Sequence, residues 1–400
     1  MHFHALRRWF RFSSTSLCVF ATLSACGGGH ARSEHTPAPS PVAILQQSAQ
    51  RAIDQGLAGV YLGHLQGASL EGQALGRRRL DATEPVHADD LFLIGSTTKA
   101  MTAALAGRLV EQGVIAWTTT LAEALPELAP AMRPVYQSVT LEQLLNHRGG
   151  VLAFTDDTDD DRFAAVLDDA ALRLPTTLAG RERFFAAWLL AQDPPAGVTP
   201  GRDFHYSNAG YALAALMLEA RSGTRYTDLL ARELAQPLGI ELNWVGADQA
   251  LLGRPIGHEG KLGQLKALAA MDQPLARWTE VLQAAGPGLS IRPADYARWL
   301  QWHLKALRGE RTPLADGYVR RLQALTAGGY ALGWTLTDVD GRAVLAHDGE
   351  YLGFSSLAVI DRLGRSASFA FSNSAEPETE WPLKVLNQTL LDVERQLPVP

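Results

Sequence analysis

Four hundred residues, 46% hydrophobic and 20% charged, supply enough apolar side chains for a sizeable core and more than one structural region. A net charge of −6 leaves no basic footprint for nucleic acid. No G-x-x-x-x-G-K-[ST], G-x-G-x-x-G or H-E-x-x-H occurs, so no motif points to nucleotide, dinucleotide or zinc-protease chemistry.

The first 26 residues read as a targeting segment. Arg7, Arg8 and Arg11 precede a short apolar stretch, Leu17 to Leu23, too short to span a bilayer permanently. Leu23-Ser24-Ala25-Cys26 resembles the bacterial lipobox, which implies cleavage before Cys26 and a lipid on its sulfur. Gly27, rather than Asp, after that cysteine implies the periplasmic face of the outer membrane; an ordinary secretory signal is the alternative. Arg7-Arg8-Trp9-Phe10 loosely resembles a twin-arginine export signal. Cys18 and Cys26 are the only cysteines, so the rest of the chain can form no internal disulfide. Gly27-Gly28-Gly29, then Pro37, Pro39 and Pro41, make residues 27–42 a flexible tether.

Apolar residues at helical spacing predict a helix from Ala43 to Gln55, followed by a strand pair beginning at Gly59. Another helix runs from Ser96 to about Gln112 and stops at Gly113. The middle is rich in helices: Thr140-Leu141-Glu142-Gln143 has capping-box form, and Arg181–Leu190 and Gly210–Arg221 are strongly helical. Pro293 opens a helix that reaches Leu307. Short strand-like runs between glycine turns then occupy Gly329 to Phe371, and Trp381–Arg395 closes as a helix. The simplest architecture is one α/β domain built from 43–115 and 290–400, carrying an all-α insertion over 116–289, with a site at their seam.

Ser96-Thr97-Thr98-Lys99 lies where the apolar run Leu91–Gly95 gives way to the helix. A serine there meets free backbone N–H groups and the positive end of the helix dipole, and a lysine three residues on shares its face. With five lysines in the chain, chance alone gives roughly 0.3 such matches, so its companions decide the matter. His205-Tyr206-Ser207-Asn208 opens the Gly210 helix, with Tyr206 and Asn208 on one side of an extended segment. A nearby ammonium is expected to lower the tyrosine pKa until the phenolate can take the serine proton. Asn208 offers both a donor and an acceptor. Near the end, His347-Asp348-Gly349-Glu350 brings glycine-flanked backbone N–H groups to a strand edge.

S-x-x-K, Y-x-N and H-x-G, in that order with long gaps, resemble the serine beta-lactamase and penicillin-binding protein superfamily, closest to its class C branch. The likeness extends through Val139–His147, Pro200–Tyr211, Gln236–Gly239, Gly333-Trp334 and Gly353-Phe354-Ser355. It implies an α/β fold of the beta-lactamase/transpeptidase type, an antiparallel sheet flanked by helices with an all-α insertion. It also implies Ser96 as acylated nucleophile, Lys99 and Tyr206 as its proton network, and Asn208, His347 and Gly349 at the substrate. The backbone N–H groups of Ser96 and Glu350 would hold the oxyanion. No metal or organic cofactor is implied. His347 stands where beta-lactamases of this superfamily carry lysine, which implies weak recognition of anionic beta-lactams and favours esters or D-amino-acid peptides, small molecules or peptidoglycan-like. A binding module that acylates without turnover is the alternative.

Asp157, Asp159, Asp161 and Asp168 match positions 1, 3, 5 and 12 of a calcium loop, but Arg162 stands where that loop needs glycine and no glutamate closes it. The stretch reads as a solvated acidic loop without metal. His147 reads as structural.

Overall fold

A computed structural model describes residues 39–169, 171–245, 254–268 and 278–397. The leader and the lipid site expected at Cys26 lie outside the described residues. Gly59–Gln66 (β1) and Ser69–Gly76 (β2) pair as an antiparallel hairpin, with Gly67 supplying a left-handed residue at φ 61°. Five more strands come from the far end of the chain: Tyr330–Ala331 (β3), Trp334–Val339 (β4), Arg342–Tyr351 (β5), Phe354–Asp361 (β6) and Ser366–Ser372 (β7). Together they make a seven-stranded antiparallel sheet in the order β2-β1-β7-β6-β5-β4-β3, closed across the chain by Val60 opposite Ser372.

Side-chain alternation gives the sheet two dry faces. Val344, Ala346, Leu357, Val359 and Ala370 point to the back. There they meet the helices Pro41–Asp54 (α1) and Trp381–Gln396 (α9), through residues such as Ile44, Leu45, Leu386 and Leu390. Leu345, Ala358, Ile360, Phe369 and Phe371 point forward into the main core. Burial on both faces explains why β6 and β7 are buried along their whole length.

Thr98–Glu111 (α2) lies in front of the sheet, and every residue from Thr98 to Gly107 is buried. A helix apolar on all sides can only be central, which its Ala-Met-Thr-Ala-Ala-Leu-Ala run already states. The helices Leu141–Leu145 (α3), Asp157–Leu167 (α4), Leu178–Leu190 (α5) and Asn208–Ser222 (α6) follow, and Pro293–Leu307 (α7) and Asp316–Gln323 (α8) return the chain to the sheet. Ser207 caps α6 by accepting from Gly210 N at 2.9 Å, and Gly223 ends it in the left-handed region at φ 67°.

The acidic stretch differs from expectation. It is not a solvated loop but α4, capped by Asp156 Oδ1 accepting from Thr158 N at 2.8 Å. Phe163, Ala164 and Leu167 form its buried stripe. Asp159 turns inward and accepts from the N–H groups of Ala153 and Phe154 at 2.8 and 3.1 Å, which occupies its carboxylate with backbone. Among the described residues no group of three His, Cys, Asp or Glu is placed to hold a metal ion.

Candidate active site

Ser96 sits in a 3₁₀ turn, Gly95–Thr97, that leads directly into α2. Crowding on both sides fixes this turn. Gly95 has φ 48°, and a Cβ there would lie 2.7 to 2.8 Å from the backbone of Glu350. Gly349 is packed as tightly: its Cβ would come within 2.6 Å of Ser96 N and 2.5 Å of Ile94 O. The end of β5 therefore lies against the nucleophile turn with no room for side chains between them. Ser356 Oγ ties the two together by donating to Ile94 O at 2.7 Å.

Lys99 is fully buried one turn along. Its Nζ donates to Ser96 Oγ at 2.9 Å and to Ala285 O at 2.8 Å. Burial pushes its pKa well below the usual lysine range, and the Asp348 carboxylate pulls only weakly the other way. An amine that holds its proton less tightly is suited to exchange one with the serine.

Tyr206 reaches the same point from the segment before α6, and its hydroxyl is hydrogen-bonded to Ser96. Its acidity differs from expectation: burial raises the pKa above the ordinary tyrosine value, outweighing the Ser96 bond that lowers it. Lys99 Nζ sits 4.9 Å from the centre of the Tyr206 ring, and the same burial that raises the pKa of the phenol lowers that of the lysine. Burial thus strengthens the hold of Tyr206 on its proton and weakens that of Lys99.

Asn208 donates from Nδ2 to Phe154 O at 2.6 Å, and its buried Oδ1 has no hydrogen-bond partner among the described residues. His347 is buried, with Nδ1 donating to Asp348 O at 2.5 Å. Burial, then the charge of Lys99, lowers its pKa to about 3. The ring is therefore neutral at pH 7, with its proton on Nδ1, so Nε2 can only accept. The Glu350 carboxyl is buried and accepts from Ser355 Oγ at 3.0 Å; burial lifts its pKa to about 8. Only the backbone of Glu350 faces the nucleophile turn.

Ser96, Lys99 and Tyr206 thus share one hydrogen-bonded cluster, Gly349 and the Glu350 backbone border its turn, and His347 lies close enough to feel Lys99, whereas the bonds of Asn208 go to the backbone of Ala153 and Phe154. Sequence reasoning missed three neighbours. Ala285 contributes a carbonyl, for which no side chain could give a signal. The Tyr330 ring lies 6.0 Å from His347 and 6.5 Å from Tyr206. Phe204, 51% exposed, stands 5.9 Å from Tyr330 at the rim, and a bare aromatic just before Y-x-N was the one visible sign of it.

Known proteins resemble this chain in sequence and fold. The family described as Beta-lactamase matches residues 43–390. Penicillin-binding protein 4 of Amycolatopsis lactamdurans is 30% identical over 298 residues, which is 70% of this chain and 71% of that one. Esterase EstB of Burkholderia gladioli is 25% identical over 69% of this chain and 67% of its own. The chain spans about half the length of two fungal relatives. The D-amino acid amidase of Ochrobactrum anthropi SV3 superposes with a TM-score of 0.68 at 20% identity, over 88% of this chain and 97% of that one. The chain belongs to the Beta-lactamase family, within the serine beta-lactamase and penicillin-binding protein superfamily.

Proposed function

We propose that the protein is a hydrolase that cleaves uncharged esters or peptide-like amides through an acyl-enzyme on Ser96. The observation that carries this reading is the 2.9 Å contact from Lys99 Nζ to Ser96 Oγ, with the Tyr206 hydroxyl bonded to the same serine. Ser96 Oγ attacks the carbonyl carbon while its proton passes to the Lys99 amine, whose neutral form burial favours. The carbonyl electrons move to oxygen, which rests on the N–H groups of Ser96 and Glu350. Collapse expels the leaving group, protonated through the Tyr206 hydroxyl. Water then attacks the acyl ester by the reverse route and frees Ser96.

His347 supports the substrate class. A lysine there is a cation that only donates; this imidazole is neutral and presents an acceptor. A substrate carboxylate gains nothing from it, whereas an amide N–H or a neutral group is accommodated. Phe204 and Tyr330 offer apolar faces to such a group, and the EstB relative is by name an esterase.

Fluorophosphonate labelling with intact-mass readout tests the nucleophile: wild type gains one adduct and Ser96→Ala none. A panel of a p-nitrophenyl ester, a D-amino-acid amide, a D-Ala-D-Ala peptide and a cephalosporin tests the class. Efficient cephalosporin turnover with no ester or amide cleavage overturns the substrate reading. A burst without steady turnover supports the binding module instead. We further propose a lipid anchor at Cys26 on the periplasmic side, checked by loss of acyl mass in Cys26→Ala.

A further inference from the structure

His147 follows α3 and adopts φ 55°, a left-handed backbone that non-glycine residues rarely take. That conformation turns its carbonyl and its ring toward the same neighbouring segment. The carbonyl accepts from His205 N at 2.7 Å, and the ring Nδ1 accepts from Ser207 N at 3.0 Å. These are the two residues on either side of Tyr206. The imidazole also stacks on the Tyr206 ring, centroids 4.0 Å apart and planes 31° from parallel. Tyr330 and Tyr211 press on it at 4.6 and 5.2 Å, and it is 1% exposed. A protonated Nδ1 would face the Ser207 N–H donor to donor, so the contact requires a neutral ring with hydrogen on Nε2. One residue thus holds the backbone before and after Tyr206 and the plane of its ring.

We propose that His147 is a positioning residue for Tyr206, setting the placement of the phenol hydroxyl against Ser96 through this two-point backbone clamp and ring stack. The inference rests on Tyr206 serving as the proton relay, and its test separates the two ideas. Asparagine can occupy the left-handed region and places Oδ1 near the position of Nδ1, so His147→Asn keeps the clamp and removes the stack. Phenylalanine keeps the stack and removes the acceptor.

The experiment measures kcat and KM for p-nitrophenyl butyrate in a double-mutant cycle with Tyr206→Phe. The expected result is a fall in kcat of about 10-fold for His147→Asn and about 100-fold for His147→Phe, with KM within about 2-fold of wild type. In the Tyr206→Phe background, either change at His147 costs less than about 2-fold further, because the hydroxyl it positions is gone. Equal losses in both backgrounds, or a change in KM alone, overturn the proposal. Full activity in Tyr206→Phe overturns the relay itself, and a wild-type kcat in His147→Asn and His147→Phe beside an impaired Tyr206→Phe overturns only the role of His147. Nitrogen NMR of the wild-type ring gives a reading that needs no variant. A proton on Nε2 with a bare Nδ1 at pH 7 agrees with the clamp; a proton on Nδ1 rules it out.

Discussion

The sheet carries a buried polar cluster on each face, and the two are built on opposite rules. At the back, Glu394 is matched with Arg342 Nη2 at 2.8 Å and accepts from Ser368 Oγ, which in turn meets His64 Nδ1 at 2.8 Å. A guanidinium sits beside the carboxylate and pairs with it directly. At the front, Lys99 gives its hydrogen bonds to a hydroxyl and a carbonyl, and desolvation outweighs the nearest carboxylate. Its hold on a proton is weakened. Burial is the same in both places; the partner decides whether a group is a strut or a reagent.

Four substitutions test that contrast, and the largest effect is expected at Lys99. Lys99→Met removes the base and lowers the acylation rate by about 10³-fold, read as the single-turnover rate with a p-nitrophenyl ester. Its Tm rises by about 2–5 °C as a desolvated amine becomes an apolar chain. A fall in Tm would show that Lys99 is itself a strut. Arg342→Met inverts the experiment. It strands the Glu394 carboxylate and lowers unfolding stability by about 3 kcal/mol in urea, with kcat unchanged.

Glu350 lies between the two cases, since its backbone borders the site while its carboxyl is buried with Ser355. Its pKa rises from an ordinary 4.5 to about 8 on folding. Below about pH 4 the carboxyl is mostly protonated in both states; as pH rises from there to about 8, only the unfolded chain gives up its proton. Wild-type stability therefore falls with rising pH across that window and levels off above it. Glu350→Gln removes this slope, so its Tm exceeds that of wild type at pH 8.5 and matches it at pH 4. The smallest effect is expected of His347→Lys, which restores a cation and raises acylation by benzylpenicillin about tenfold, followed by intact mass.

Much of the fold was legible because local patterns were strong. The all-apolar start of α2, the glycine-bounded strands near the end and the Ser207 cap each announce themselves within a few residues. The α4 helix was hidden by its charge. Five aspartates between 156 and 161 drew the eye from Phe163, Ala164 and Leu167, whose spacing is helical. At the site, Ser96 and Lys99 were readable together because one helical turn joins them. The link to Tyr206 came only through resemblance to a family, since no local rule joins positions 99 and 206. The direction of its pKa runs against the sequence reading for a physical reason: a neighbouring cation is visible in the sequence, but the burial that raises the phenol pKa comes from elements far apart in the chain.

The joint between Gly349 and the nucleophile turn has a consequence for how the molecule is made. The Ser356–Ile94 hydrogen bond that fastens it spans 262 positions, and Gly333 packs so closely on α2 that a Cβ would lie 2.4 Å from Ala100 N. A ribosome that has delivered the serine has still to deliver the strand that shapes its turn. Such high contact order slows folding, and a chain cut before β5 lacks the strand that packs against the Ser96 turn. Reactivity arrives last, with the final hundred residues.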